Sequence, residues 1–72
     1  MSNPSFPDKT ERQRLRDTPV TLDGHPARVC GEYPRVEFPT VQITTGAPCY
    51  GVQFCWETVR HVIDNRNGAF KS

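Results

Sequence analysis

Tyr50-Gly51-Val52-Gln53-Phe54-Cys55-Trp56-Glu57-Thr58-Val59-Arg60-His61-Val62-Ile63 decides how this chain folds, because the spacing of its apolar residues changes partway along. Tyr50, Val52, Phe54 and Trp56 alternate with Gly51, Gln53 and Cys55, the pattern of a strand that buries one face. From Trp56 onward the apolar positions are 56, 59, 62 and 63, which share one side of a helix. The stretch therefore predicts a strand over 50–55 that feeds straight into a helix over 56–65, both facing one core.

Downstream, Asn65-Arg66-Asn67-Gly68 reads as a helix exit, with Asn67 or Gly68 suited to the left-handed cap. Phe70 can then fold back onto the helix end or the sheet. On the polar side of the helix, residue spacing predicts Glu57 beside Arg60 and His61, and Arg60 beside Asp64.

Upstream, Thr45-Gly46-Ala47-Pro48 supplies a turn and Thr40–Thr44 a strand. Val36 and Phe38 are out of phase with Val41 and Ile43, and the slip falls at Pro39-Thr40. A slip at a proline is the sequence form of a bulge or strand break, so 36–38 is read as an irregular lead-in. Gly31 to Arg35 is loop or irregular edge.

Val20-Thr21-Leu22, Asp23-Gly24 and His25-Pro26-Ala27-Arg28-Val29 form a predicted β-hairpin. Its two-residue turn needs positive φ at both positions, which Asp and Gly tolerate. Pro26 has no amide hydrogen for a ladder, which places the hairpin at or near a sheet edge. Residues 1–17 carry few apolar groups and are expected as a mobile charged tail, with 18–72 the folded domain. The alternative there is a short helix capped by Thr10 with Gln13, which has only Leu15 to bury.

The pattern is α+β and mainly β: a small antiparallel four-strand meander, or incomplete SH3-like barrel, with one C-terminal helix. Its expected core is Val20, Leu22, Ala27, Val29, Val36, Phe38, Val41, Ile43, Tyr50, Val52, Phe54, Trp56, Val59, Ile63 and Phe70. That is a small core for 72 residues, which favours a bound partner or a homodimer.

Nine basic and eight acidic residues leave a net charge of +1, so composition announces no cationic groove for nucleic acid. No apolar run approaches 18 residues, and the start Met-Ser-Asn-Pro-Ser-Phe-Pro-Asp lacks a secretory signal layout. The expectation is a cytoplasmic protein without a membrane partner. Three cysteines, at 30, 49 and 55, are an odd number, read here as reduced thiols.

Chemistry-bearing motifs are sparse. Cys30, Cys49, Cys55 and His61 lack the short Cys-x2–4-Cys spacing that holds two zinc ligands together. Nothing in the spacing joins a thiol to His25 or His61 as nucleophile and base. The five glycines are isolated turn residues, not a phosphate loop. No catalytic, cofactor or metal residues are assigned, and the chain is read as a non-enzymatic binding module.

Its expected partner is another protein or a second copy, engaged through Arg28, Tyr33, Arg35 and Arg60 and an unpaired strand edge near Pro26 to Gly31. The alternative is a nucleic-acid-associated module whose basic arm, Arg12, Arg14 and Arg16, contacts phosphates together with Arg28 and Arg35.

Overall fold

A computed structural model describes residues 7–31, 36–44 and 51–72. In chain order the elements are α1 (Lys9–Asp17), β1 (Val20–Leu22), β2 (His25–Cys30), β3 (Thr40–Ile43), β4 (Gly51–Gln53), α2 (Trp56–Asn65) and β5 (Ala69–Phe70). The strands form one mixed sheet in the order β4-β3-β2-β1-β5, with β5 parallel to β1 and the other pairs antiparallel. Among the described residues a four-strand meander with one helix is therefore replaced by five strands and two helices.

The sheet curls into a half-barrel. β4 and β5 lie at opposite ends of the strand order, and in a flat sheet four spacings would separate them by about 19 Å. Yet Phe54, next after β4, and Phe70, in β5, place their ring centroids 5.1 Å apart at an interplanar angle of 50°. Strong twist and curvature bring the two ends together.

The hairpin forms as its turn residues dictate. Asp23 and Gly24 have φ of 52° and 84°, and Leu22 faces His25 across the turn. Val20 pairs with Ala27 and Ala27 with Ile43, while Val29 pairs with Val41 and Val41 with Val52, so two adjacent apolar rows run across one face. The hairpin is nevertheless not at an edge, because β3 flanks β2 and β5 flanks β1. Pro26 fits an interior strand because it lies just past the β2–β3 ladder, where its carbonyl accepts the Thr44 N–H at 3.1 Å and little is lost with the missing donor.

Residues 9–17, expected as a tail, are helical. The cap is Asp8, whose Oδ1 accepts the Glu11 N–H at 2.8 Å, not Thr10. The Thr18 hydroxyl donates to the Arg14 carbonyl at 2.7 Å and closes the other end before Pro19. Leu15 is fully buried in the core with Val20, Leu22, Ala27, Val29, Val41, Trp56, Val59, Val62 and Phe70. Across the helices, Arg14 reaches Asp64 of α2 at 3.2 Å, and Arg16 donates to the Gly31 carbonyl at 2.6 Å. Asp64 therefore meets α1 instead of the expected Arg60; among the described residues the ion pairs are those of Arg14 with Glu11 and Asp64.

The strand-to-helix stretch forms nearly as read, with β4 ending at Gln53 and Phe54-Cys55 as the joint. Trp56 is buried, and its indole N–H donates to the Val36 carbonyl. Two glycines make room for this packing. A Cβ on Gly31 would lie 2.9 Å from Trp56 Cζ2, and one on Gly51 would lie 2.2 Å from the Val41 carbonyl oxygen. Gly51 thus permits β4 to approach β3 more closely than any side chain would allow.

The lead-in before Pro39 is irregular, as the phase slip implied, but its side chains do not all turn inward. Val36 is half-buried, whereas Phe38 and Ile43, both expected in the core, are 54% and 39% exposed. Phe38 falls in a bend, and Ile43, although it shares the face of Ala27 and Val41, closes its strand at the margin of the covered core. Gln42, on the opposite face from Val41, is fully buried. Past Asn65 the chain turns through Asn67 and Gly68, with φ of 55° and 73°, and β5 is fixed by N–H bonds from Thr21 to Gly68 and from Asp23 to Phe70.

Candidate functional site

The turn after α2 sends β5 back beside that helix, and a groove of about 560 Å³ opens between the two. Phe54, Val62 and Phe70 make its apolar floor; Thr58, His61 and Arg66 come from the α2 side, and Ala69 and Lys71 from the β5 side. Helical spacing accounts for the first wall, since positions 58, 61 and 62 fall on one side of α2. Among the described residues no carboxylate lines the groove. His61 and Ala69 are exposed at its rim, as are Arg66 and Lys71.

Hydrogen bonds orient parts of this rim. The Asn65 side-chain amide lies 3.3 Å from His61 Nδ1 and donates to the His61 carbonyl at 3.1 Å. Beyond Lys71, Ser72 donates to the Asp23 carboxylate through its backbone N–H at 3.0 Å and through its hydroxyl. The Ser72 hydroxyl and then its N–H hold the Asp23 carboxyl below the usual aspartate range, with weaker help from His25 and Lys71.

Cys55 stands at the N-terminus of α2 as its cap residue, half-buried and with a free thiol. Its sulfur lies 3.1 Å from the Thr58 hydroxyl. That hydroxyl, followed by the Thr58 amide, draws the thiol below its ordinary pKa, while burial and the Glu57 charge act in the opposite sense.

A second, polar cleft of about 290 Å³ lies between α1 and β2, lined by Gln13, Arg16, Asp17, Arg28, Val29, Cys30 and Gly31. It brings together Arg16 and Arg28, two of the arginines that the nucleic-acid alternative groups. The Arg16 guanidinium is already engaged by the Gly31 carbonyl and by Gln13.

The other residues singled out from sequence are scattered. Arg12 donates to the Pro7 carbonyl at 3.0 Å, and Arg14 is held by Glu11 and Asp64, which raise its pKa. These arginines therefore project from a docked helix and not from an extended arm. Arg28 is exposed on β2 and Arg60 is half-buried on α2. Tyr33, Arg35, Tyr50 and Cys49, with the 45–48 turn, lie outside the described residues.

Sequence reasoning missed His61, Arg66, Ala69 and Lys71 as a group. Their proximity depends on β5 returning alongside α2, and a two-residue strand has no periodicity to read. Asn67-Gly68 was the available sign that the chain reverses there.

Cys30 is disulfide-bonded, so the chain does not carry three free thiols and the odd count is no ground for a reducing compartment. Among the described residues there is no cluster of three potential metal ligands, and no helix is long and apolar enough to cross a membrane. No protein-family model, curated protein or solved structure matches the chain.

Proposed function

We propose that this chain is a small non-enzymatic binding module that acts through a protein partner, and that the partner docks in the groove between α2 and β5. The observation that carries this reading is the groove itself: an apolar floor of Phe54, Val62 and Phe70 beside a strand that, among the described residues, has no neighbour on its outer side. Binding surfaces combine an apolar centre with a polar rim in this way, and open strand edges are a common docking feature. The edge that matters is β5, not the interior hairpin around Pro26. Self-association through the same groove is the other form of this reading.

The rival, nucleic-acid association through Arg12, Arg14 and Arg16, has less support. Phosphate binding draws on cations free to approach the backbone, and these three are engaged by acceptors within the fold.

A phage-displayed random peptide library tests the proposal, selected on the wild-type domain and counter-screened on Ala69→Arg, a substitution at an exposed groove position. Sequences should be enriched on the wild type and lost on the variant. No enrichment, or enrichment indifferent to Ala69→Arg, contradicts it.

A further inference from the structure

The groove is electrostatically lopsided in a chain whose total charge is close to balanced. Nine basic and eight acidic residues give +1 overall, yet the groove is lined by Arg66, Lys71 and His61 and, among the described residues, by no carboxylate. Neither Arg66 nor Lys71 forms an ion pair among the described residues. Lys71 acts on Asp23 only as the weakest of the influences on that carboxyl. Charge complementarity at such a rim favours an anionic partner and disfavours a cationic one.

The backbone of β5 narrows the shape of that partner. Thr21 and Asp23 donate to the carbonyls of Gly68 and Phe70, so those groups face β1. Because successive residues of a strand turn their backbone groups to opposite sides, the Ala69 carbonyl and the Lys71 N–H point away from β1, along the groove. The Ala69 N–H is taken by the Arg66 carbonyl at 3.1 Å within the preceding turn. An extended chain laid along this edge meets one acceptor and one donor, then the apolar floor beneath them.

Resting on the reading of the groove as a protein-docking site, we propose that its partner is an acidic peptide segment bound in extended form along β5. One bulky apolar side chain sits over Phe54, Val62 and Phe70, and flanking carboxylates face His61, Arg66 and Lys71. Main-chain pairing and the apolar anchor supply affinity, and the cationic rim selects sign.

The experiment uses four synthetic hexapeptides against the full chain: Asp-Glu-Leu-Phe-Glu-Asp, its uncharged counterpart Asn-Gln-Leu-Phe-Gln-Asn, and two forms of the acidic peptide with alternate backbone amides N-methylated, one in each phase. At low salt the acidic peptide should bind about ten-fold more tightly than the uncharged one, since its carboxylates pair with the exposed rim cations. The preference should shrink as ionic strength rises. Arg66→Glu should weaken the acidic peptide about five-fold or more and leave the uncharged one within about two-fold. Lys71→Gln should act in the same direction by less. Methylation in one of the two alternate phases should remove binding.

Equal affinity for acidic and uncharged peptides overturns the charge assignment while leaving the docking reading intact. Indifference to methylation in both phases overturns the extended pairing. If library-selected peptides bind and lose affinity on Ala69→Arg but the acidic hexapeptide does not bind, the partner's chemistry is wrong and the groove remains a docking site. If no peptide from either source binds, both proposals fall. A concentration-dependent dimer that Arg66→Glu dissociates would assign the groove to a second copy and overturn the acidic-peptide proposal.

Discussion

The hairpin formed by β1 and β2 and the helix α1 sit next to each other in sequence but are specified in opposite ways. In the hairpin, two adjacent residues decide the outcome: Asp23 and Gly24 take φ of 52° and 84°, and the register Val20–Ala27 follows from the turn. In α1 local bonds close the two ends but leave the helix with almost no buried face of its own. Its apolar content is Leu15, and what holds it are contacts far along the chain: the shared core, Asp64 of α2, and the Gly31 carbonyl. A nine-residue helix is too short to persist alone in water, so tertiary packing must supply its stability. The contrast teaches that a charged segment with one well-placed leucine can belong to the fold as fully as a strand.

The contrast is open to direct attack, most severely at Leu15. Leu15→Ala should destabilise the domain by about 3 kcal/mol, within the 2–5 kcal/mol seen for buried leucines, as read from chemical denaturation. Were 9–17 a detached tail, the midpoint would not move.

On the hairpin side, Gly24→Ala should cost about 1 kcal/mol through backbone strain alone, since a Cβ there meets no atom within 4 Å. A loss of 3 kcal/mol or more, by the same denaturation assay, would show that the turn is not governed locally.

A smaller effect is expected where α1 meets α2. A double-mutant cycle of Arg14→Gln with Asp64→Asn should give a coupling of about 0.5 kcal/mol, declining with added salt, because both side chains are more than a third exposed. Zero coupling would leave Leu15 as the main tether.

Least in magnitude is the acid response of Asp23. Its carboxyl is held below the usual range in the folded state, so the associated stabilisation is complete above the unfolded pKa and is lost as pH falls through the depressed folded value. A carbon-detected titration should place the Asp23 midpoint below 3.8, and Asp23→Asn, which suits the same turn, should remove this component of acid sensitivity. A midpoint at or above 3.8 would break the link to Ser72.

What could be read from the sequence follows the same division. The hairpin turn, the Asn67-Gly68 reversal, the break at Pro39 and the strand-to-helix passage at Phe54-Cys55 each rest on residues a few positions apart. All four are present. α1 was legible only at its start, where Asp8 and Glu11 stand three apart as cap and first-turn acid, a signal overshadowed by the low apolar content that follows. Pro26 misled because a missing amide was equated with a sheet edge, when the end of a ladder serves as well. Phe38 and Ile43 misled because alternation tells which residues share a face, not how far the covering layer extends. The groove was invisible for a related reason: its walls come from α2 and from a two-residue strand that gains its place through hydrogen bonds to β1.

The central claim is that 9–17 is a working part of the folded unit, joined to α2 through the core. Amide hydrogen exchange tests it most directly. The amides of Gln13 through Asp17 should be protected and should lose protection together with those of Val59 through Ile63 as denaturant is added. Exchange of the α1 amides at unstructured rates, while α2 stays protected, would contradict the account.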